Sequence, residues 1–148
     1  VSILLVVGAG PARPDWQTYT VANGLVSDYV SGIVEDHHGA IWLSTTRGIS
    51  RFDGTSWRTY TSADGLAHDY IYAFAQDAAG NLWAGTNFGV SCFDGVAWRT
   101  YTQADGMASD HVRAICSDRL GNVWFGTEAG LSRFDGSQRR AFRKQYED

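Results

Sequence analysis

The stretch Asp77-Ala-Ala-Gly-Asn-Leu-Trp83-Ala-Gly-Thr86-Asn-Phe-Gly89-Val-Ser-Cys-Phe93-Asp-Gly95 decides the fold. Asp-x-x-Gly and Asp-Gly are tight-turn signals: aspartate bonds its own backbone two residues on, and glycine reaches positive φ without a Cβ penalty. Between these signals lie two apolar runs too short for a helix, Leu82–Thr86 and Gly89–Phe93, separated by Asn87-Phe88. The reading is turn, strand, turn, strand, turn.

Working outward, an apolar run at Tyr70–Ala75 precedes the stretch and Trp98-Arg-Thr-Tyr-Thr102 follows it, which makes four strands. The same text recurs 41 residues earlier and 41 later. Laying Trp16, Trp57 and Trp98 over one another aligns the copies without a gap, and 16 of 41 positions are identical in all three. Asp36/Gly39, Asp77/Gly80 and Asp118/Gly121 mark one turn, and Trp42, Trp83 and Trp124 the strand after it. Phe-Asp-Gly closes each copy at 52–54, 93–95 and 134–136. A fixed period of this length signals a repeat architecture, and four short antiparallel strands per period is the pattern of a propeller blade.

No segment of ten or more residues carries a helical period, so the expectation is all-β. It is a partial β-propeller of three four-stranded antiparallel blades at about 28–61, 69–102 and 110–142, with an N-terminal outer strand at 15–20. The six tryptophans (Trp16, Trp42, Trp57, Trp83, Trp98, Trp124) are expected to pack between neighbouring sheets, because a residue repeated in every copy serves architecture first. The final copy carries Arg139 where tryptophan stands in the others and Phe142 where tyrosine stands, so the strand at 15–20 could complete the last blade, although such closure within one chain of three blades would be sterically tight. Residues 1–14 read as the end of a signal-peptide-like apolar segment and a linker, too short to span a bilayer. Residues 143–148 read as a charged tail.

The formal net charge is −4 with a sequence pI near 5.4, which supplies no general basic field for nucleic acid or anionic lipid. Arg139, Arg140, Arg143 and Lys144 crowd together near the C-terminus and read as solvated surface. Cys92 and Cys116 fall at different repeat positions, which is neither a disulfide framework nor a metal-ligand spacing. Nucleophile triads, His-Glu-x-x-His, phosphate loops and nucleotide fingerprints are not found in the sequence, so neither cofactor nor metal is expected and no enzyme activity is assigned.

The pattern Gly-Leu…Asp-x-x-Gly-x-[Ile/Leu/Val]-Trp-x-x-Thr-x-x-Gly-[Ile/Val/Leu]-Ser-x-Phe-Asp-Gly-x-x-Trp, spread over residues 16–138, resembles the repeat of the two-component regulator propeller family. The resemblance implies a ligand-binding propeller outside the inner membrane of a bacterium, joined to a membrane helix and a signalling module, with ligands that are often carbohydrate fragments. Against that plan the sequence shows three blades where such propellers commonly have about seven, and no transducing module. An open stack exposes apolar sheet faces and unpaired edges. Head-to-tail self-association or the remaining blades of a longer chain is therefore expected to complete the ring. The function implied is an exported sensor module without catalytic activity of its own. The alternatives are a structural or protein-interaction propeller and, further off, an enzyme resembling the streptogramin lyases.

If identical positions build the blade, specificity belongs where the copies differ on one rim. The candidates are Arg47, Asn87, Phe88 and Glu128 on the turns between strands two and three, and His68 on an interblade loop. Tyr29, Tyr70, Tyr72, His111 and Arg113 join them at the head of the first strands. Glu35, Gln76 and Ser117 on the same strands are expected to share the channel. Arginine, aromatic and amide groups together suit a small polar ligand, carbohydrate among them.

Overall fold

The protein is described here by a computed structural model covering residues 15–136 and 139–142, the last four as backbone. The signal-like segment 1–14 and the tail 143–148 lie outside these residues. Three antiparallel sheets of four strands each follow in chain order. Blade one holds β1 (Val30–Glu35), β2 (Ile41–Thr45), β3 (Gly48–Phe52) and β4 (Trp57–Tyr60). Blade two holds β5 (Ala73–Gln76), β6 (Leu82–Thr86), β7 (Gly89–Phe93) and β8 (Trp98–Tyr101). Blade three holds β9 (Val112–Ser117), β10 (Val123–Thr127), β11 (Gly130–Phe134) and β12 (Arg139–Phe142).

The invariant residues explain the regularity. In each blade an aspartate receives the next tryptophan's indole N–H: Asp36 from Trp42 at 2.7 Å, Asp77 from Trp83 at 2.8 Å, Asp118 from Trp124 at 2.9 Å. The same carboxylates accept the turn amides, which fixes the β1–β2 type of hairpin. A serine in the third strand accepts an amide from the incoming loop, Ser50 from Val26, Ser91 from Ala67 and Ser132 from Ala108. A 3₁₀ turn capped by Thr20, Thr61 or Thr102 follows each Thr-Tyr-Thr.

The blades stack face to face, as their alternation requires. Trp42, Ile49 and Tyr60 of blade one meet Leu66, Ile71, Leu82 and Trp98 of blade two. Trp83, Val90 and Tyr101 of blade two meet Met107, Val112, Val123 and Phe125 of blade three. Trp83 is only 1% exposed. Removing roughly 150–250 Å² of such a ring from water stabilises by roughly 4–6 kcal/mol, before the entropic cost of ordering it.

Three expectations need correction. Blade three is completed by its own β12, with Phe134 opposite Arg139 and Leu131 opposite Phe142, so the first segment does not supply that strand. Residues 15–20 enter no ladder with the described strands. Trp16, with no preceding blade among the described residues to lie on, is 92% exposed and does not pack. Trp98, with a preceding blade to lie on, is buried, while Trp57 is half-buried, 4.7 Å from Phe52 and 5.6 Å from Tyr19 by ring centroids. Finally, β5 starts at Ala73, later than the run at Tyr70 suggests. The Ile71 amide bonds Thr45 of blade one, which draws the backbone out of its own sheet.

Candidate functional site on the variable rim

The rim is made by the turns joining the second and third strands. Each is locked by an invariant threonine whose hydroxyl donates to the glycine carbonyl three residues on and accepts the amide between them. The distances are 2.8 and 3.0 Å at Thr45, 2.9 and 2.9 Å at Thr86, and 2.7 and 3.2 Å at Thr127. The glycines sit at φ near +120°, where a side chain is strained. The two residues between are free to differ and project from the rim: Thr46-Arg47, Asn87-Phe88 and Glu128-Ala129.

At blades two and three these side chains join those from the strand heads in one continuous network. Tyr70 stacks on Tyr72, centroids 4.6 Å apart. The Asn87 amide donates to the Tyr72 hydroxyl at 3.0 Å. The Arg113 guanidinium lies 4.4 Å over the Tyr72 ring and donates from Nε (3.1 Å) and Nη2 (2.5 Å) to Glu128 Oε1. The other Glu128 oxygen meets His111 Nδ1 at 2.8 Å. Beside them His68 packs on Phe88 at 4.9 Å, and its Nδ1 accepts the Tyr70 amide, which puts the neutral ring's proton on Nε2. The Asn87 side-chain oxygen is buried without a hydrogen-bond partner.

Electrostatics follow the geometry. The bonds from Arg113, then from His111, hold the Glu128 carboxyl below its ordinary value. The bond to Glu128, then that to Tyr72, holds the Arg113 guanidinium protonated. The result is a fixed ion pair on an aromatic support, half open to water. It presents donors, a carboxylate and ring faces but no activated nucleophile.

The chain matches the model of the two component regulator propeller in three places, residues 24–47, 65–88 and 106–129. The chain belongs to this family. Each matched span of a regulator propeller repeat runs from the turn before the first strand to the variable rim pair. Among solved structures, the chain is similar to the extracellular domain of BT3049 from B. thetaiotaomicron, assigned as a hybrid two component system, with 25% identity and a TM-score of 0.67. That match covers 78% of this chain and 17% of the other. The extracellular domain of BT4673 from the same organism, assigned in one structure as a one component and in another as a hybrid two component system, matches at 22% identity. Its TM-scores are 0.63 and 0.62, over 76% and 74% of this chain and 18% and 17% of that one. This chain thus spans less than a fifth of those domains. No curated protein matches it.

Of the residues singled out in the sequence, Tyr70, Tyr72, Asn87, His111, Arg113 and Glu128 meet in the network, and His68 with Phe88 adjoins it. Tyr29 and Arg47 of blade one stand apart, exposed, and among the described residues their side chains make no hydrogen bond or ring contact. Glu35, Gln76 and Ser117 fall at the far end of the first strands. Gln76 bonds Gly80 of its own hairpin and Ser117 bonds Gln76 of the neighbouring blade, so this set ties hairpins and blades together at the opposite rim. Among the described residues no three metal-ligating groups converge, and no helix is long and apolar enough to cross a membrane.

Proposed function

We propose that the chain is the ligand-contacting part of an exported bacterial sensor propeller. Its variable rim around Tyr72, Arg113 and Glu128 takes a small polar molecule, with carbohydrate the chemical class that fits best. The observation that carries this reading is the convergence of repeat-variable residues into one network on an otherwise repeated scaffold. A sugar ring lies well on a tyrosine face, and its hydroxyls pair with a carboxylate and guanidinium already held in place. The remaining blades, from a longer chain or from head-to-tail association, cover the outward faces of blades one and three and bring further rim residues to the ligand. The chain transmits the event by binding and performs no chemistry of its own.

The test is a nuclear magnetic resonance titration of the full chain with a panel of neutral mono- and disaccharides, following the Arg113 Nε–H and the Tyr70 and Tyr72 ring signals. Saturable shifts at these groups, abolished in Tyr72→Ala and Glu128→Gln, are expected. Shifts that persist in both variants would overturn the reading. An interaction role is the second reading, favoured by the exposed Phe88 at the edge of the network. Under it, a partner protein is lost in Phe88→Ala while no sugar titrates.

A further inference from the structure

The rim opposite the variable network carries a second concavity, of about 380 Å³, in the wedge between blades one and two. Its floor is aromatic. Trp42 and Tyr60 stack with centroids 5.3 Å apart at 18°, and Leu82 and Phe93 of blade two continue the surface. Arg51 and Arg58 face each other across the β3–β4 ladder on this side of the sheet. The Arg51 guanidinium lies 5.5 Å over the Trp42 ring and that of Arg58 lies 4.7 Å over Tyr60. His37 and His38 form one wall. His37 closes against blade two so tightly that a Cβ on Gly80 would lie 3.1 Å from its Nδ1.

Two cations at directly opposed positions repel, and among the described residues neither is in a salt bridge. The acids nearby are already engaged. Asp36 accepts the His38 and Ala40 amides and the Trp42 indole, and Asp94 accepts the Val96 and Ala97 amides. A guanidinium laid on a ring keeps its in-plane N–H groups free, in the fork that matches a carboxylate. The equivalent wedge between blades two and three keeps Arg99 in place of Arg58 but lacks the second arginine and the histidine wall. Cys92 stands in place of Arg51, Ala78 and Ala79 in place of His37 and His38, and Phe125 in place of Ala84.

We propose that the wedge between blades one and two is an anion site, in which Arg51 and Arg58 together clamp the carboxylates of a small organic polyacid. The site is separate from the variable rim, and neither requires the other. Its volume falls within the range of small-molecule pockets, on the order of 300–1,000 Å³. The aromatic floor keeps both guanidiniums in place before the ligand arrives, so little side-chain freedom is lost on binding.

Isothermal titration of the full chain with citrate, inorganic sulfate and the neutral polyol sorbitol tests it. Citrate is expected to bind saturably and more tightly than sulfate, and sorbitol not at all. Arg51→Gln and Arg58→Gln are each expected to weaken citrate about tenfold or more. Arg51→Cys copies the residue carried by the next repeat and so keeps the fold, as circular dichroism should verify; it is expected to do the same. Arg113→Gln on the far rim leaves citrate binding unchanged. The proposal is overturned by absence of saturable citrate binding at roughly 10 mM, by citrate affinity unmoved in the Arg51 and Arg58 variants, or by sulfate binding as tightly as citrate.

Discussion

Asp77→Ala probes the interblade core at a single side chain. Asp77 is buried and accepts four bonds, from the amides of Ala79 (3.0 Å) and Asn81 (2.9 Å), from Asn81 Nδ2 (2.9 Å) and from Trp83 Nε1 (2.8 Å). Trp83 lies between blades two and three, so alanine leaves its indole N–H buried without a partner, at about 1–3 kcal/mol. Loss of the turn bonds adds about 1–2 kcal/mol, since water replaces part of them. The expected total is roughly 2–5 kcal/mol, a large share of the roughly 5–15 kcal/mol of a whole domain. Urea denaturation followed by tryptophan fluorescence measures it as a fall in midpoint at constant slope. The matched change Asp118→Ala removes the same motif from blade three, where Trp124 is only half-buried and water reaches the indole; its shift is expected to be clearly smaller. In a Trp83→Phe background the orphan-donor component of Asp77→Ala should vanish. Equal shifts for the two aspartates, or an undiminished effect in the Trp83→Phe background, would refute the claim that blade stacking sets the cost.

Three further outcomes are expected. Glu128 has a folded pKa below the ordinary 4.5, so its pairing is complete above that value and is lost as pH falls through the lowered one; carboxyl ¹³C titration should find the midpoint below 4.5, and a midpoint at or above it contradicts the network. Gly89→Ala should destabilise by about 2 kcal/mol or more, because φ is +118° and the new Cβ would lie 2.5 Å from the Tyr101 carbonyl, whereas Gly95→Ala, with open space around it, should cost only about 1 kcal/mol; thermal melts giving the reverse order would count against this geometry. Burial, with the charges of Asp77 and Asp94 behind it, pushes the Cys92 thiol up to about 12, while Cys116 is exposed. Iodoacetamide should therefore label Cys116 in the native protein and Cys92 only after unfolding, as mass spectrometry of the digest would read directly.

The sequence by itself determined the blade. The period, the Asp-x-x-Gly and Asp-Gly turns and the strand order are local properties, written three times over, and each invariant residue meets a need inside or beside its own repeat: Asp36 for Trp42, Thr45 for Gly48, Ser50 for Val26. The list of variable rim residues was equally legible, since it needs only the comparison of copies and the alternation of strand and turn. What the tertiary structure decided was company. That Arg113 reaches both Tyr72 of the blade before it and Glu128 of its own depends on the angle between sheets, which no spacing encodes. The burial of Trp98 against the exposure of Trp16 depends on whether a sheet stands in front of an otherwise identical repeat. The facing arginines of blade one, Arg51 and Arg58, drew no attention as sequence because their opposition is a matter of register. Their freedom from salt bridges is a matter of where Asp36 and Asp94 spend their oxygens. Local chemistry repeats with the text, whereas contacts between blades depend on packing, and it is the packing that makes three similar repeats present two different sites.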